Sequence, residues 1–287
     1  MNALAPMAAL LVLLGPLRAF AAEPVAILAA ENVYGDVARQ IGGPEVTATS
    51  ILKNPDQDPH LFEVSPSVAR AVSAARIVVY NGLDYDPWMA RLLHAAPRRE
   101  RVTIVVGDLA LRHTGDNPHI WYDVDAVLRL AAALSGDLAR IDPAHASGYQ
   151  SRLAAFRASM QPVQDGIAAL HDRLAGTPVT ATEPVFGYMF HALGMQVRNM
   201  GFQLAVMNDT EPSASDIAGM ESDLRQHRVR MLLYNSQASD PMAERMMQLA
   251  KAAHVPVVGA TETEPPDTQY QAWMLNELGA VSRALPK

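Results

Sequence analysis

Residues 143–174 read PAHASGYQSRLAAFRASMQPVQDGIAALHDRL. No strand signal interrupts this span. Its apolar residues instead follow helical spacing: Leu153, Phe156, Met160, Val163, Ile167, Leu170 and Leu174. A helix of that length runs about 48 Å at ~1.5 Å per residue, more than one domain needs. The stretch therefore reads as a rod joining two lobes. Pro162 lacks a backbone donor, which predicts a kink there or, alternatively, two helices with a break near Met160.

On both sides of the rod the texture is different. Before it, Val25–Ala30, Val46–Leu52, Arg76–Tyr80 and Val102–Val106 are short apolar or β-branched runs. They alternate with helical segments, one starting at Ser65-Pro66 and another capped by Asp123. After it come Val179–Thr182, Gln196–Met200, Val229–Tyr234 and Val255–Val258. Helices there open at Pro184, Ser213 and Asp240-Pro241, and a last one covers Thr268–Leu285. Strand–helix alternation gives the α/β class. The expected architecture is two lobes, each with a parallel sheet flanked by helices, joined by one long backbone helix. The expected division is a signal peptide over 1–22, an N-terminal lobe over 23–141, a linking helix over 142–175 and a C-terminal lobe over 176–287.

Composition narrows the class. The chain has 287 residues, 49% of them hydrophobic and 18% charged, with a net charge of −7. That supports a packed globular protein and, with no Lys/Arg-rich run, argues against nucleic acid as a partner. Residues 3–14 are apolar but too short to cross a bilayer, and Ala19-Phe20-Ala21 resembles a cleavage site. Export to a bacterial periplasm as a soluble monomer is the expectation. There is no cysteine, so disulfides, thiolate ligands, nucleophilic thiols and a lipid-anchored N-terminal Cys have no residue to build on.

Four segments carry the chemistry: Asp58-Pro59-His60, Asn117-Pro118-His119, Thr182-Glu183-Pro184 and Thr261-Glu262-Thr263. Each sits on a loop between a strand and a helix, the edge of an open parallel sheet where ligands bind. Two belong to each lobe, so one cleft between lobes can collect two imidazoles and two carboxylates. Those donors suit zinc, and the oxygen-rich half also suits manganese. Proline before each histidine stiffens the loop. Asn235-Ser236-Gln237 follows a strand and can orient ligands. Met242, Met246 and Met247 read as core filler, and Trp88 and Trp121 as walls of the cleft or ordinary packing.

The stretches DQDPHLFEVSPS, YNGLDYDPWM and NPHIWYD resemble the metal-binding periplasmic components of manganese and zinc ABC transporters, as does Asp142-Pro143-Ala144-His145 at the head of the rod. The resemblance covers nearly all of the chain after residue 22. It implies a substrate-binding protein that captures Mn2+ or Zn2+ and delivers it to an ABC permease, without catalysis. It also implies His60 and His119 as the first two ligands, Glu183 as the third and an acid after the last strand as the fourth. Glu262 is the nearest match there, with Glu264 and Asp267 as competitors. Two hard carboxylates favour manganese or iron(II), while zinc binds most such sites more tightly. A metal-dependent hydrolase and a binder of siderophores or other organic ligands are the alternatives. The hydrolase lacks a Gly-x-Ser-x-Gly or His-Glu-x-x-His signature, and no Arg cluster in the four loops supports the organic ligand.

Overall fold

A computed structural model describes residues 23–54, 62–238 and 240–286. The expected signal peptide over 1–22, and His60, lie outside the described residues.

In the first lobe β1 (Val25–Glu31) leads into α1 (Asn32–Gly42), β2 (Val46–Leu52), α2 (Pro66–Ala74), β3 (Ile77–Tyr80), α3 (Pro87–Ala95), β4 (Val102–Val105), the short α4 (Val106–Leu109) and the long α5 (Val124–Ile141). The linker is α6 (Ala146–Ser159) followed by α7 (Gln161–Leu174). The second lobe holds β5 (Pro178–Ala181), α8 (Gly187–Ala192), β6 (Gln196–Val197), α9 (Met200–Met207), α10 (Ala214–Arg225), β7 (Leu232–Asn235), α11 (Pro241–Ala252), β8 (Val257–Ala260) and α12 (Tyr270–Ala284).

Both sheets are parallel and share one topology. Their strand orders are β2-β1-β3-β4 and β6-β5-β7-β8. In each, the chain leaves the first strand to one side and returns to the other, so a crevice opens between first and third strands at their carboxyl ends. Glu31 and Asn81 stand there in the first lobe, Glu183 and Asn235 in the second. Apolar strands flanked by helices explain why Ile77, Val78 and Val79 are buried together. Ser65, Asp123, Ser213 and Asp240 all cap helices through their side chains, as their sequence contexts predict.

The linking rod is helical with a break at Met160. Pro162 falls in the first turn of α7, where its missing N–H has no helical partner to lose. The proline therefore starts a second helix rather than bending one. A single apolar cluster runs through both lobes and the linker, from Ile27 through Leu134, Phe156 and Val163 to Val281. A smaller cluster on the far side of the second sheet joins Phe202, Met220, Leu224 and Leu232 with Met246, and Met242 and Met247 pack against it. The strand expected over Gln196–Met200 shortens to two residues and gives way to α9. That helix, MGFQLAVM, is apolar on nearly every face and so carries no 3.6-residue periodicity to read.

The lobes are bound to each other by more than the rod. Tyr122 donates to the Thr261 carbonyl at 2.7 Å, and Tyr270 donates to the Trp121 carbonyl at 2.9 Å. Tyr122 also packs on Phe186 and Trp273, with ring centroids 4.8 and 5.4 Å away. The Asn32 side-chain amide accepts from the Glu264 N–H and donates to its carbonyl, clamping the loop after β8 to the start of α1. Among the described residues no helix is long and apolar enough to cross a membrane.

Candidate metal centre

His119 is built into place by its own loop. The segment that follows β4 forms a turn before Ile120–Tyr122, and Asn117 folds back over it. Asn117 Oδ1 accepts from the His119 backbone N–H at 3.1 Å and lies 2.7 Å from His119 Nδ1. Asn117 Nδ2 donates to the Pro184 carbonyl at 2.7 Å, which fixes the amide so that Oδ1 is the atom facing the ring. In the neutral imidazole Nδ1 therefore carries the hydrogen, and Nε2 presents its lone pair. The ring is fully buried, edge-on to Trp121 with centroids 5.4 Å apart.

That lone pair points at the second lobe. His119 Nε2 is 3.9 Å from Glu262 Oε1. The ~3.4 Å edge of a tetrahedron with ~2.1 Å bonds lies within about half an ångström of this separation. Glu262 comes from the loop after β8 and is itself buried. Its backbone N–H, and that of Thr263, donate to Gln237 Oε1 at 2.6 and 2.9 Å. Asn235 Nδ2 donates to Glu262 Oε1 at 2.5 Å and reaches Glu183 Oε2 at 3.4 Å. Asn235 thus stands between the two carboxylates of the second lobe. Glu183, separated from β5 by Thr182 and just before the turn at Pro184, is buried beside it.

The first lobe also reaches Glu262. Tyr85 donates to Glu262 Oε2 at 2.6 Å. Burial, and then the Glu262 carboxylate, push the Tyr85 phenol well above its ordinary range, so it serves as a donor.

The structure therefore sets Glu262 beside His119 and links it through Asn235 to Glu183, and His60 lies outside the described residues. Among the described residues no group of three His, Cys, Asp or Glu side chains is close enough by itself to hold a metal ion. The competing acids diverge from the centre. Glu264 is buried near Asp36 and Arg39, where burial and the Asp36 charge push it up to about 9. It lines an outer cleft together with Asp267. Tyr85 and Asn117 were not assigned roles by sequence reasoning. Asn117 stands inside a motif that could have drawn attention to it, whereas Tyr85 bonds a residue 177 positions away and leaves no local signal. Trp88 packs on Phe62 with ring centroids 4.7 Å apart and planes tilted by 46°.

The chain belongs to the family described as zinc-uptake complex component A, periplasmic, which matches residues 27–284. A putative metal-binding protein of Treponema pallidum is 25% identical over 95% of this chain and 90% of its own length. The manganese ABC transporter substrate-binding lipoprotein PsaA of Streptococcus pneumoniae is 21% identical over 89% of this chain and 88% of its own. The fold is that of the periplasmic zinc-binding protein TroA from Treponema pallidum, with a TM-score of 0.76 at 18% identity over 92% of this chain and 100% of that one. It is also similar to the Ni2+-bound substrate-binding protein FpvC of P. aeruginosa, with a TM-score of 0.74 at 16% identity over 91% of this chain and 97% of that one. Relatives with assigned roles are substrate-binding proteins rather than enzymes.

Proposed function

We propose that this protein captures a divalent transition metal, Mn2+ or Zn2+, outside the cytoplasm and hands it to an ABC permease. The observation that carries the reading is the meeting of His119 Nε2 and Glu262 Oε1 from opposite lobes at 3.9 Å, with Asn235 tying Glu262 to Glu183. The donors are assigned as His60 and His119 for nitrogen and Glu183 and Glu262 for oxygen. His60 enters on its Asp-Pro-His motif.

The chemistry follows from charge. Two buried carboxylates carry two negative charges, which a dication brings to neutrality. A neutral imidazole with its hydrogen fixed on Nδ1 adds a nitrogen lone pair without adding charge. Four protein ligands fill the shell of a four-coordinate ion and leave no open position for a catalytic water, so the site binds and releases rather than reacts. The chain divides into a leader over 1–22 that is removed on export, a lobe over 23–141, a linker over 142–175 and a lobe over 176–287, and it works as a monomer.

Calorimetry of demetallated protein with Zn2+ and Mn2+ tests the reading. Tight one-to-one binding is expected, together with a higher melting temperature for the loaded form, because a ligand held only by the folded state stabilises it. Binding of neither ion, or binding unchanged in Glu262→Gln, overturns it.

A further inference from the structure

Glu262 is held by its two oxygens in two different ways. Oε1 faces His119 Nε2 and accepts from Asn235 at 2.5 Å. Oε2 accepts from the Tyr85 hydroxyl at 2.6 Å. We propose that Tyr85 is a selectivity residue that restricts Glu262 to one-oxygen coordination and so favours Zn2+ over Mn2+. This rests on Glu262 being a metal ligand, as proposed above.

The turn that carries Tyr85 is rigid. Gly82, Leu83 and Asp84 all have positive φ, at 77°, 57° and 62°, a conformation that non-glycine residues adopt only when their surroundings impose it. Asp86 imposes it by accepting from the N–H groups of Asn81 and Gly82 at 2.7 and 2.8 Å. The Tyr85 N–H closes the turn onto the Gly82 carbonyl at 3.0 Å. The ring is buried, edge-on to Trp121 with centroids 5.0 Å apart and 6.2 Å from the His119 ring. The hydroxyl therefore cannot follow Glu262 if the carboxylate rotates.

Coordination chemistry turns that rigidity into discrimination. A carboxylate that chelates with both oxygens must bring both to one ion. Here that pulls Oε2 from Tyr85 and breaks a short buried hydrogen bond, which is costly. Zinc is satisfied by four donors and needs one oxygen from Glu262. Manganese prefers a fuller shell of oxygen donors, for which the second oxygen is the nearest supply. The same bond thus leaves the four-donor shell intact and obstructs the larger one.

Tyr85→Phe removes the hydroxyl and keeps the ring. Competition titrations on the full chain should show the ratio of Mn2+ to Zn2+ dissociation constants falling by roughly tenfold, the lower end of what partners of metal ligands contribute. An unchanged ratio, including an equal loss for both ions, overturns the proposal, since a merely structural tyrosine weakens both alike. Should the variant not fold, the wild type still decides. A Mn2+-loaded crystal structure with Glu262 bound through one oxygen and Tyr85 still on Oε2 supports the proposal, and both oxygens on the ion overturn it. Wild-type protein that binds neither ion overturns the parent reading instead.

Discussion

Each lobe buries a pair of carboxyl groups at the carboxyl ends of its parallel strands and surrounds them differently. In the first lobe Glu31 ends β1 and lies against Asp86, both about 1% exposed. Burial, then the neighbouring Asp86, push Glu31 well above the ordinary carboxyl range. The backbone N–H groups of Glu31 and Asn81 favour its charge only weakly. Burial raises Asp86 to about 6 even though two backbone N–H groups favour its charge. In the second lobe Glu183 and Glu262 are equally buried, but Asn235, Tyr85 and an imidazole face them. A buried acid pair must be neutralised. The shifts of the first pair favour a retained proton, whereas the second is faced by neutral donors and a lone pair, an environment that suits the proposed cation. Two copies of one topology thus give two buried acid pairs different neighbours.

The sharpest way to break this contrast is to neutralise one member of each pair. Glu262→Gln should lower Zn2+ affinity by more than about 100-fold, beyond the 10–100-fold typical of residues that merely support ligands. Glu31→Gln should change it by less than about threefold. Calorimetry with chelator competition reads both, and a comparable loss in Glu31→Gln would erase the distinction between lobes. Next in size is Asn117→Ala, which frees the His119 ring to turn and should weaken binding about 10–100-fold in the same assay.

A third test concerns stability and pH. The native first-lobe pair keeps protons that the unfolded chain releases. Its contribution is therefore complete below the unfolded carboxyl range near ~4 and declines as pH rises through the native value, about 6 for Asp86. Denaturant unfolding of metal-free Glu31→Gln should show a gain over wild type on the order of 1–3 kcal/mol at pH 8, and little difference at pH 4.5. A gain of equal size at both pH values would contradict the retained proton.

The smallest expected effect is steric. A Cβ on Gly187 would lie 2.6 Å from Asn117 Nδ2, whereas one on Gly219 in α10 meets open space. Gly219→Ala should add up to about 1 kcal/mol of stability through helix propensity, with unaltered metal affinity. Gly187→Ala should lose about three- to tenfold in affinity by displacing the residue that orients His119, and melting curves with titrations would separate the two.

Much of this was legible in the residues. Short apolar strands, capped helices and the strandless rod define the α/β layout because each follows from local periodicity or capping chemistry. Asn235 and Gln237 could be suspected from their place at the carboxyl end of β7. The break at Met160 was legible as an alternative, because Pro162 can either kink a helix or open one. α9 was not legible, since its uniformly apolar surface has no periodicity. Tyr85 was not legible either. Its hydrogen bond joins elements that meet only after both lobes have folded, and a tyrosine in a Leu-Asp-Tyr-Asp turn looks like any surface aromatic. That Glu262 rather than Glu264 lies beside His119 was not legible, since it follows from contacts between distant parts of the chain such as the Asn32 clamp.

Asn117 has one further consequence. Its side chain spends one end on the His119 ring and the other on the carbonyl of Pro184, next to Glu183. The imidazole is therefore already aimed before any ion arrives, and the ordering entropy of that ligand is settled during folding. This one donor resembles a set trigger, so its share of the loading time should follow how quickly an incoming ion sheds its hydration water.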